Sequence, residues 1–377
     1  MTSIRKHNLI LLLPALIFFG CLDPYSPPDV KRNVDILVVD GFLSYTSSSI
    51  AVRLSHAIAL DSAGIPPPER NATVALEEQD GASLILNDTQ DGYYTATGLN
   101  VNAAKPYRLH IKTSGGKEYF SDYVAVIKTP DIDSVAWRAG DQDLTVYVNA
   151  HDATGQTRYY YWDYIETYEH HAPVPAGYIM KGHEPRPLMP DEQLEQCWTT
   201  QPSTSIFVTS SENLSTDAIR NFPLIVLPAG SIQLSVRYSV LVRQRAISKE
   251  AYVFWTQLRK TTESLGGLFD PLPSQVVGNV HSTSDSEEPV LGFFSAGEEK
   301  QERIFIRHAE LPDAIRIYPH YFCPPDSIRM SIVRTLSDNT LLVYPYGMGL
   351  PEGYVSTTAI CMDCRESGGV TQKPDFW

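Results

Sequence analysis

The chain has 377 residues, of which 43% are hydrophobic and 20% charged, and its 44 acidic and 30 basic residues give a net charge of −14. This length and apolar content suffice for two or three folded domains with buried cores, and they exclude a largely disordered chain. The acidic balance excludes nucleic acid as a partner, because binding to its phosphates requires clustered Lys and Arg.

The N-terminal stretch has the pattern of an export signal. Arg5 and Lys6 precede an uncharged run over residues 9–19, and Gly20-Cys21 closes it. The run is too short to span a bilayer, which needs roughly twenty apolar residues. The stretch resembles a bacterial lipoprotein signal, in which the cysteine receives the lipids and becomes the mature N-terminus. The alternatives are ordinary secretion with Cys21 as a plain thiol, and an uncleaved anchor.

We predict a signal peptide over residues 1–20, lipidation at Cys21 and a proline-containing tether over residues 21–33. Cleavage removes Arg5 and Lys6 and no acidic residue, so the net charge falls from −14 to −16. A chain this acidic does not bind anionic lipid electrostatically, so the acyl chains must supply the attachment. The predicted location is the cell envelope, with lipid attachment and with the leaflet left open.

Residues 34–129 are predicted to form an N-terminal β-sandwich domain. Short strand-like runs recur there and are separated by the turn signals Asp80-Gly81, Asp91-Gly92 and Gly115-Gly116. Residues 107–112 alternate strictly between apolar and polar side chains, which is typical of a half-buried strand. This spacing of strands and turns predicts an antiparallel, Ig-like sandwich.

Residues 130–377 are predicted to form a second β-rich domain with a cysteine-bearing C-terminal tail. Its longest alternating run, residues 231–243, is predicted to be a central strand of the sheet. One substantial helix is predicted at residues 248–265, capped by Ser248 and packed on this second unit. The predicted fold class is therefore mostly β, with two consecutive antiparallel β-sandwich units and a single substantial helix.

Four cysteines remain once Cys21 is set aside. An even number of cysteines in an oxidising compartment predicts two disulfides, and the sequence leaves three connectivities open. A zinc site that uses Cys361, Cys364, Cys323 and His320 is the alternative, but a second Cys-x-x-Cys pair is missing. We therefore predict no metal site and no cofactor. The cysteines assigned to the disulfides are Cys197, Cys323, Cys361 and Cys364.

One strand is unusually rich in aromatic residues, and a long polar segment follows it. Aromatic side chains on both faces of a strand either pack in a core or offer stacking surfaces to a ligand. The segment over residues 170–196 is predicted to be a long surface loop, and such loops often carry function. Adjacent histidines on a strand point to opposite faces, which argues against a shared metal. The candidate binding surface comprises Tyr159, Tyr161, Trp162, Tyr164, Tyr168, His170 and His171.

Several short motifs occur in an order that resembles domain-of-unknown-function family 4249. These motifs are residues 37–41 (LVVDG), 91–94 (DGYY), 105–109 (KPYRL), 247–252 (ISKEAY), 269–274 (FDPLPS), 278–280 (GNV), 291–294 (LGFF), 361–365 (CMDCR) and 373–377 (KPDFW). The resemblance implies an outer-membrane lipoprotein that is found in association with a TonB-dependent receptor. The family has no established catalytic residues to carry over.

Motifs of familiar enzyme classes are missing from the sequence. It lacks a Gly-x-Ser-x-Gly elbow, a His-Glu-x-x-His helix and a phosphate-binding glycine loop. We therefore expect a protein that is not an enzyme and acts as a binding or accessory component of a TonB-dependent nutrient uptake system, with an unidentified ligand. The alternatives are a surface hydrolase that uses dispersed carboxylates and a structural component of envelope assembly.

Overall fold

The computed structural model describes residues 36–58, 64–263 and 276–377. The predicted signal peptide, Cys21 and the tether lie outside the described residues. No helix in the described part of the chain is long and apolar enough to cross a membrane.

Short strands dominate the chain from its first described residues, which confirms the mostly-β prediction. The strands of the first part are β1 (Leu37–Ser44), β2 (Ser49–His56), β3 (Thr73–Glu78), β4 (Ser83–Ile85), β5 (Asn87–Asp88), β6 (Tyr93–Thr97), β7 (Tyr107–Lys112), β8 (Glu118–Ser121) and β9 (Val126–Ile127).

The middle of the chain contains longer strands and the main helix. In order, these elements are β10 (Ile132–Ala139), β11 (Asp143–His151), β12 (Tyr159–His171), β13 (Tyr178–Lys181), β14 (Glu184–Pro187), β15 (Gln196–Pro202), β16 (Phe207–Ser210), β17 (Ala218–Pro228), β18 (Arg237–Ala246), α1 (Lys249–Glu263), β19 (Val280–Ser282), β20 (Val290–Gly297) and β21 (Lys300–Arg307).

The last part combines very short strands with single helical turns. Its elements are β22 (Asp326–Arg329), α2 (Met330–Val333), β23 (Leu341–Leu342), β24 (Tyr344–Tyr346), β25 (Gly353–Ser356) and α3 (Ala359–Met362). Short 3-10 helices lie at Pro190–Glu192, Ile232–Leu234, His308–Glu310 and Cys364–Ser367.

The N-terminal sandwich packs one sheet of order β5-β6-β2-β1-β20-β9 against another of order β19-β8-β7-β3-β4. Its core contains fully buried side chains such as Leu43, Val52 and Leu109. Strands β19 and β20 come from the segment assigned by sequence to the second unit, and β20 runs parallel to β1. Along the sequence, the strands that complete the first sandwich therefore come after most strands of the second sandwich.

The second sandwich packs the sheet β10-β11-β17 against the sheet β15-β12-β18-β21, with β16 also paired to β12. Trp162 of β12 is fully buried between these sheets, and its Nε1 donates a hydrogen bond to Gln244 Oε1 at 2.9 Å. Strand β18 is central, as predicted, but it begins at Arg237, because residues 232–234 turn in a 3-10 helix. The start predicted at residue 231 was therefore wrong.

Helix α1 confirms the predicted helix from its N-terminal cap, Ser248, to residue 263. The hydroxyl of Ser248 accepts a hydrogen bond from the Ala251 N–H at 3.1 Å, which satisfies one of the free donors of the first turn. The buried face of the helix carries Ala251 and Phe254, and Phe254 contacts Phe293 of β20 with ring centroids 5.4 Å apart. The helix thus contacts the first sandwich as well as the second.

The predicted surface loop over residues 170–196 is instead part of a folded C-terminal module. Strands β13 and β14 form a hairpin, and β13 pairs with β23 from the tail. Met180 of β13 is fully buried and packs with Val333, Leu342 and Tyr354. The polar composition of the segment concealed its alternating buried positions, because only one face of a two-stranded hairpin contributes to a small core.

Both predicted disulfides are present, and they hold this module together. Cys197 of β15 is bonded to Cys364, and Cys323 is bonded to Cys361. All four thiols are therefore consumed, and the alternative zinc site with Cys361 and Cys364 is not formed. Among the described residues, no group of His, Cys, Asp and Glu side chains is arranged to hold a metal ion.

Gly278 and Asn279 lie just before β19 and contact β20. A Cβ atom at Gly278 would collide with the carbonyl oxygen of Gly292, so glycine is required by close backbone approach. The Asn279 side chain donates to Phe294 O at 2.9 Å and accepts from Phe294 N at 2.8 Å. The buried side-chain amide of Asn279 thus satisfies the backbone N–H and C=O groups of Phe294 in β20, as a neighbouring strand would.

We expect Asn279→Ala to lower the free energy of unfolding by about 2 to 4 kcal/mol, because it leaves the buried N–H and C=O of Phe294 without partners. Urea denaturation of the purified protein measures this loss. Asn100→Ala, at an exposed position, is the control and should change stability by less than about 0.5 kcal/mol. Equal effects of the two substitutions would contradict the structural role of Asn279.

Candidate functional site

Strand β12 carries the seven residues of the candidate binding surface, and three of them are buried. Its inward face includes Trp162, Tyr168 and His170, all buried. His170 Nε2 lies 3.0 Å from Thr199 Oγ1, and burial lowers the pKa of His170. These three residues are therefore unavailable to a ligand, because β12 is a central strand with a sheet packed over this face.

The outward residues of β12 are partly covered by the helix. Tyr159 contacts Tyr252 of α1 with ring centroids 5.1 Å apart, and Tyr161 contacts Trp255 of α1 at 5.3 Å. Of this candidate set, Tyr159 and Tyr161 keep partial exposure beside α1.

Two further residues of the predicted surface lie away from the helix. Tyr164 is half-buried, and its ring lies 5.8 Å from that of Phe207. His171 is exposed, and its 3.0 Å hydrogen bond with Glu169 raises the pKa of His171. The predicted surface is thus divided among three environments and does not form one continuous patch.

A cleft lies where the outer face of β1 and β2 meets the outer face of β12 and β18. Its volume is 340 Å³, near the lower end of the roughly 300–1,000 Å³ that is usual for small-molecule sites. The charged and aromatic side chains that line it are Asp40, Phe42, Arg53, Tyr93, Tyr161, Asp163, Arg243, Arg245 and Trp255. The cleft therefore joins one of the predicted aromatic residues, Tyr161, to charges from three distant parts of the sequence.

One wall of the cleft is a closed ion-pair network on β12, β18 and the loop between β20 and β21. Asp163 Oδ1 accepts from Arg243 Nε, and Asp163 Oδ2 lies 3.3 Å from Arg245 Nη2. Arg245 also pairs with Glu299 at 2.7 Å, and its guanidinium lies 4.0 Å from the centre of the Phe42 ring. The charges of this wall compensate one another and hold the two sandwiches in contact.

The opposite wall carries a carboxylate and a guanidinium that have no ion-pair partner among the described residues. Asp40 and Arg53 are directly opposite each other in the β1–β2 register. Desolvation raises the pKa of Asp40, and Asp163 adds to the shift, whereas the positive charges of Arg245 and Arg53 oppose it. The Asp40 side chain nevertheless keeps contact with solvent. The Arg53 guanidinium lies 5.5 Å from the centre of the Tyr93 ring.

The sequence carries a local signal for these cleft residues. Asp40, Arg53 and Asp163 each interrupt an apolar or aromatic strand, as do Arg243 and Arg245 in β18. A charge at such a position lies on the outer face of a sheet and costs free energy unless it is paired or solvated. Such interruptions identify these residues in the sequence. They do not show that the side chains lie close together in the fold.

Larger depressions lie elsewhere on the described residues. One, of 890 Å³, is lined by residues that include Asp152, Arg158 and Lys249. There, Asp152 accepts hydrogen bonds from its own loop, including the N–H groups of Thr154 and Thr157, and its pKa is lowered strongly although burial opposes the shift. Another, of 730 Å³, lies on the C-terminal module beside the Asp363–Arg365 ion pair. Neither combines charged side chains with more than one aromatic ring.

A family model described as "Domain of unknown function (DUF4249)" matches residues 23–303. The matched range contains every residue named in the cleft and ends before the tail with Cys323, Cys361 and Cys364. No curated protein matches the chain.

Among solved structures, a two fibronectin type-III domain segment from chicken tenascin is 12% identical, with 56% of this chain and 89% of that chain covered and a TM-score of 0.17. A cytokine receptor complex is 13% identical, covers 56% of this chain and 90% of that chain, and has a TM-score of 0.19. Scores this low support no argument about the site.

Proposed function

Because the chain belongs to the DUF4249 family, we propose that it is a non-enzymatic outer-membrane lipoprotein that binds a small ligand as an accessory of a TonB-dependent nutrient uptake system. The observation that carries the proposal is the cleft, in which an unpaired carboxylate and an unpaired guanidinium lie beside aromatic rings. Pockets of this kind, with a few convergent polar groups, are the usual form of a ligand site.

The lipoprotein signal and the family resemblance support the membrane part of the proposal. Lipids on Cys21 would confine the protein to the membrane surface. A partner in the same membrane then meets it at a high effective concentration, so even a weak contact suffices. Because the mature chain is acidic, the contact with this partner must come from apolar or specific polar surface.

The hairpin formed by β24 and β25 supplies such a surface. Met348 is 99% exposed and Leu350 86% exposed at its tip. Exposed apolar side chains that lie close together often mark a protein-binding site. We assign this tip to the transporter contact, and it replaces the segment over residues 170–196, which contributes buried side chains to the module.

We expect the double substitution Met348→Ser and Leu350→Ser to reduce recovery of the transporter at least tenfold when the native lipoprotein is crosslinked in membranes and purified. Thermal unfolding should be unchanged, because both side chains are exposed. The control is Ile85→Ser with Val226→Ser, two exposed apolar residues on other strands. Cys21→Ser should release the protein from the membrane fraction and abolish recovery. Full recovery with the hairpin variant would exclude this surface.

A hydrolase is the second candidate, because the cleft holds two carboxylates in different environments. Desolvation raises the pKa of Asp40, whereas Asp163 is paired with two arginines. An acid with a raised pKa and an ionised carboxylate are the pair that glycoside hydrolysis requires. Turnover of an oligosaccharide by the wild-type protein, and its loss in a folded Asp40→Asn variant, would favour this candidate over the binding protein.

A further inference from the structure

We propose that the cleft binds a zwitterion, namely a free α-amino acid or a short peptide, with Asp40 holding the ammonium group and Arg53 the carboxylate. This inference rests on the proposed binding function and names its ligand class. It concerns only the cleft and is independent of the hairpin surface.

The charge balance of the cleft selects this ligand class. Arg243, Arg245, Asp163 and Glu299 are bound to one another, so their charges are already compensated. The charges that remain open are one negative group, Asp40, and one positive group, Arg53. A simple anion would be repelled by Asp40, and a simple cation would be repelled by Arg53. A ligand that carries both charges satisfies both groups at once.

The geometry of β1 and β2 matches the short separation between the two charged groups of an amino acid or dipeptide. Asp40 and Arg53 occupy directly opposite positions of an antiparallel pair, where Cβ atoms are about 5 Å apart on the same face. Their side chains do not form an ion pair with each other, since Arg53 turns towards the ring of Tyr93. Each of the two charged groups lines the cleft and can therefore meet a ligand there.

Both groups form strong hydrogen bonds with the charges of such a ligand. A guanidinium binds a carboxylate through two parallel N–H···O bonds, and a carboxylate accepts several bonds from an ammonium group. Asp40 is exposed in the cleft, and a ligand that fills the cleft would withdraw it from water and strengthen these contacts. A bound ammonium group would favour the ionised form of Asp40.

Aromatic residues provide surface for the rest of the ligand. Tyr93 is 42% exposed and Trp255 is half-buried at the edge of the cleft. Their rings offer stacking and apolar contact to a side chain of the ligand. A volume of 340 Å³ limits the ligand to a few residues at most. The expected ligand is therefore an amino acid or dipeptide with an apolar or aromatic side chain.

The test is isothermal titration of the detergent-solubilised full-length lipoprotein with the dipeptide Ala-Phe and with free L-phenylalanine. Two matched probes each lack one charge: N-acetyl-Ala-Phe lacks the ammonium group, and Ala-Phe-amide lacks the carboxylate. We expect each blocked probe to bind at least tenfold more weakly than Ala-Phe. Equal binding of all three dipeptides, or no binding of Ala-Phe and phenylalanine, would overturn the proposal.

Two variants assign the charges to residues. Asp40→Asn should remove the preference for a free ammonium group, so that Ala-Phe and N-acetyl-Ala-Phe bind alike. Arg53→Gln should likewise remove the preference for a free carboxylate. Preferences that remain unchanged in both folded variants would overturn the assignment. If either variant fails to fold, the comparison of blocked probes on the wild-type protein still decides the ligand class.

Failure of this inference and failure of the proposed function give different results. If the protein binds an oligosaccharide without hydrolysing it, binds no zwitterion and still recovers the transporter, the proposed function stands. The ligand class is then refuted. If the protein binds Ala-Phe with the expected charge dependence but recovers no transporter, the ligand class stands. The accessory role is then refuted.

Discussion

Replacing both Cys197 and Cys364 by alanine should lower the free energy of unfolding by about 4 kcal/mol. The bond closes a loop with a sequence separation of 167 residues, and its removal returns the corresponding chain entropy to the unfolded state. It also ties the tail to the second sandwich, where Trp198 and Val370 form an isolated β-bridge. We therefore expect the last residues of the chain to become sensitive to protease before the protein unfolds.

The matched control is the same change at Cys323 and Cys361, whose sequence separation is 38 residues. Loop-closure entropy grows with the logarithm of loop length, so this second loss should be about 1 kcal/mol smaller. Guanidinium denaturation of both variants and the wild-type protein measures the order. A larger loss at Cys323 and Cys361 would show that contacts of the module, and not loop entropy, dominate the effect.

Replacing Arg245 by methionine should lower the free energy of unfolding by about 3 kcal/mol, because Asp163 and Glu299 would lose a shared cation within a partly buried network. Part of this loss of stability comes from packing, since the guanidinium of Arg245 lies over the ring of Phe42 in β1. We expect the contact between the two sandwiches at the cleft to loosen, which urea denaturation and hydrogen exchange in β1 would detect.

The control for Arg245 is Arg334→Met, since Arg334 pairs with Glu184 on the surface with both side chains more than half exposed. Such a pair contributes at most about 1 kcal/mol. Adding Glu299→Gln to Arg245→Met should restore part of the lost stability, because it removes one of the uncompensated charges. Equal losses at Arg245 and Arg334, with no recovery in the double variant, would contradict a buried network.

Some features were within reach of the sequence because local chemistry decides them. Alternation in residues 107–112 reports a strand with one buried face, and β7 covers the same residues. Ser248 caps its helix through contacts within the first turn, so the start of α1 was predicted correctly. An even number of cysteines was sufficient to predict two disulfides, but not to pair Cys197 with Cys364.

Other features stayed open, or were predicted wrongly, where the same local pattern fits two environments. Aromatic residues on both faces of β12 suit either a core or a ligand surface, and the structure packs a sheet on one face and α1 on part of the other. Polar composition suggested a surface loop over residues 170–196, but a hairpin with the buried Met180 lies there. In each case the missing information was which distant element covers the segment.

The sequence by itself determined the mostly-β class, the capped helix, the two disulfides and the family motifs, because strand alternation, turn residues and capping act over a few positions. Only the tertiary structure decided that β20 returns to pair with β1, and that Asp40, Arg53, Asp163 and Arg245 meet in one cleft. The reason is that periodicity shows which face of a strand is buried, whereas the pairing of charges depends on the approach of strands separated by more than a hundred residues.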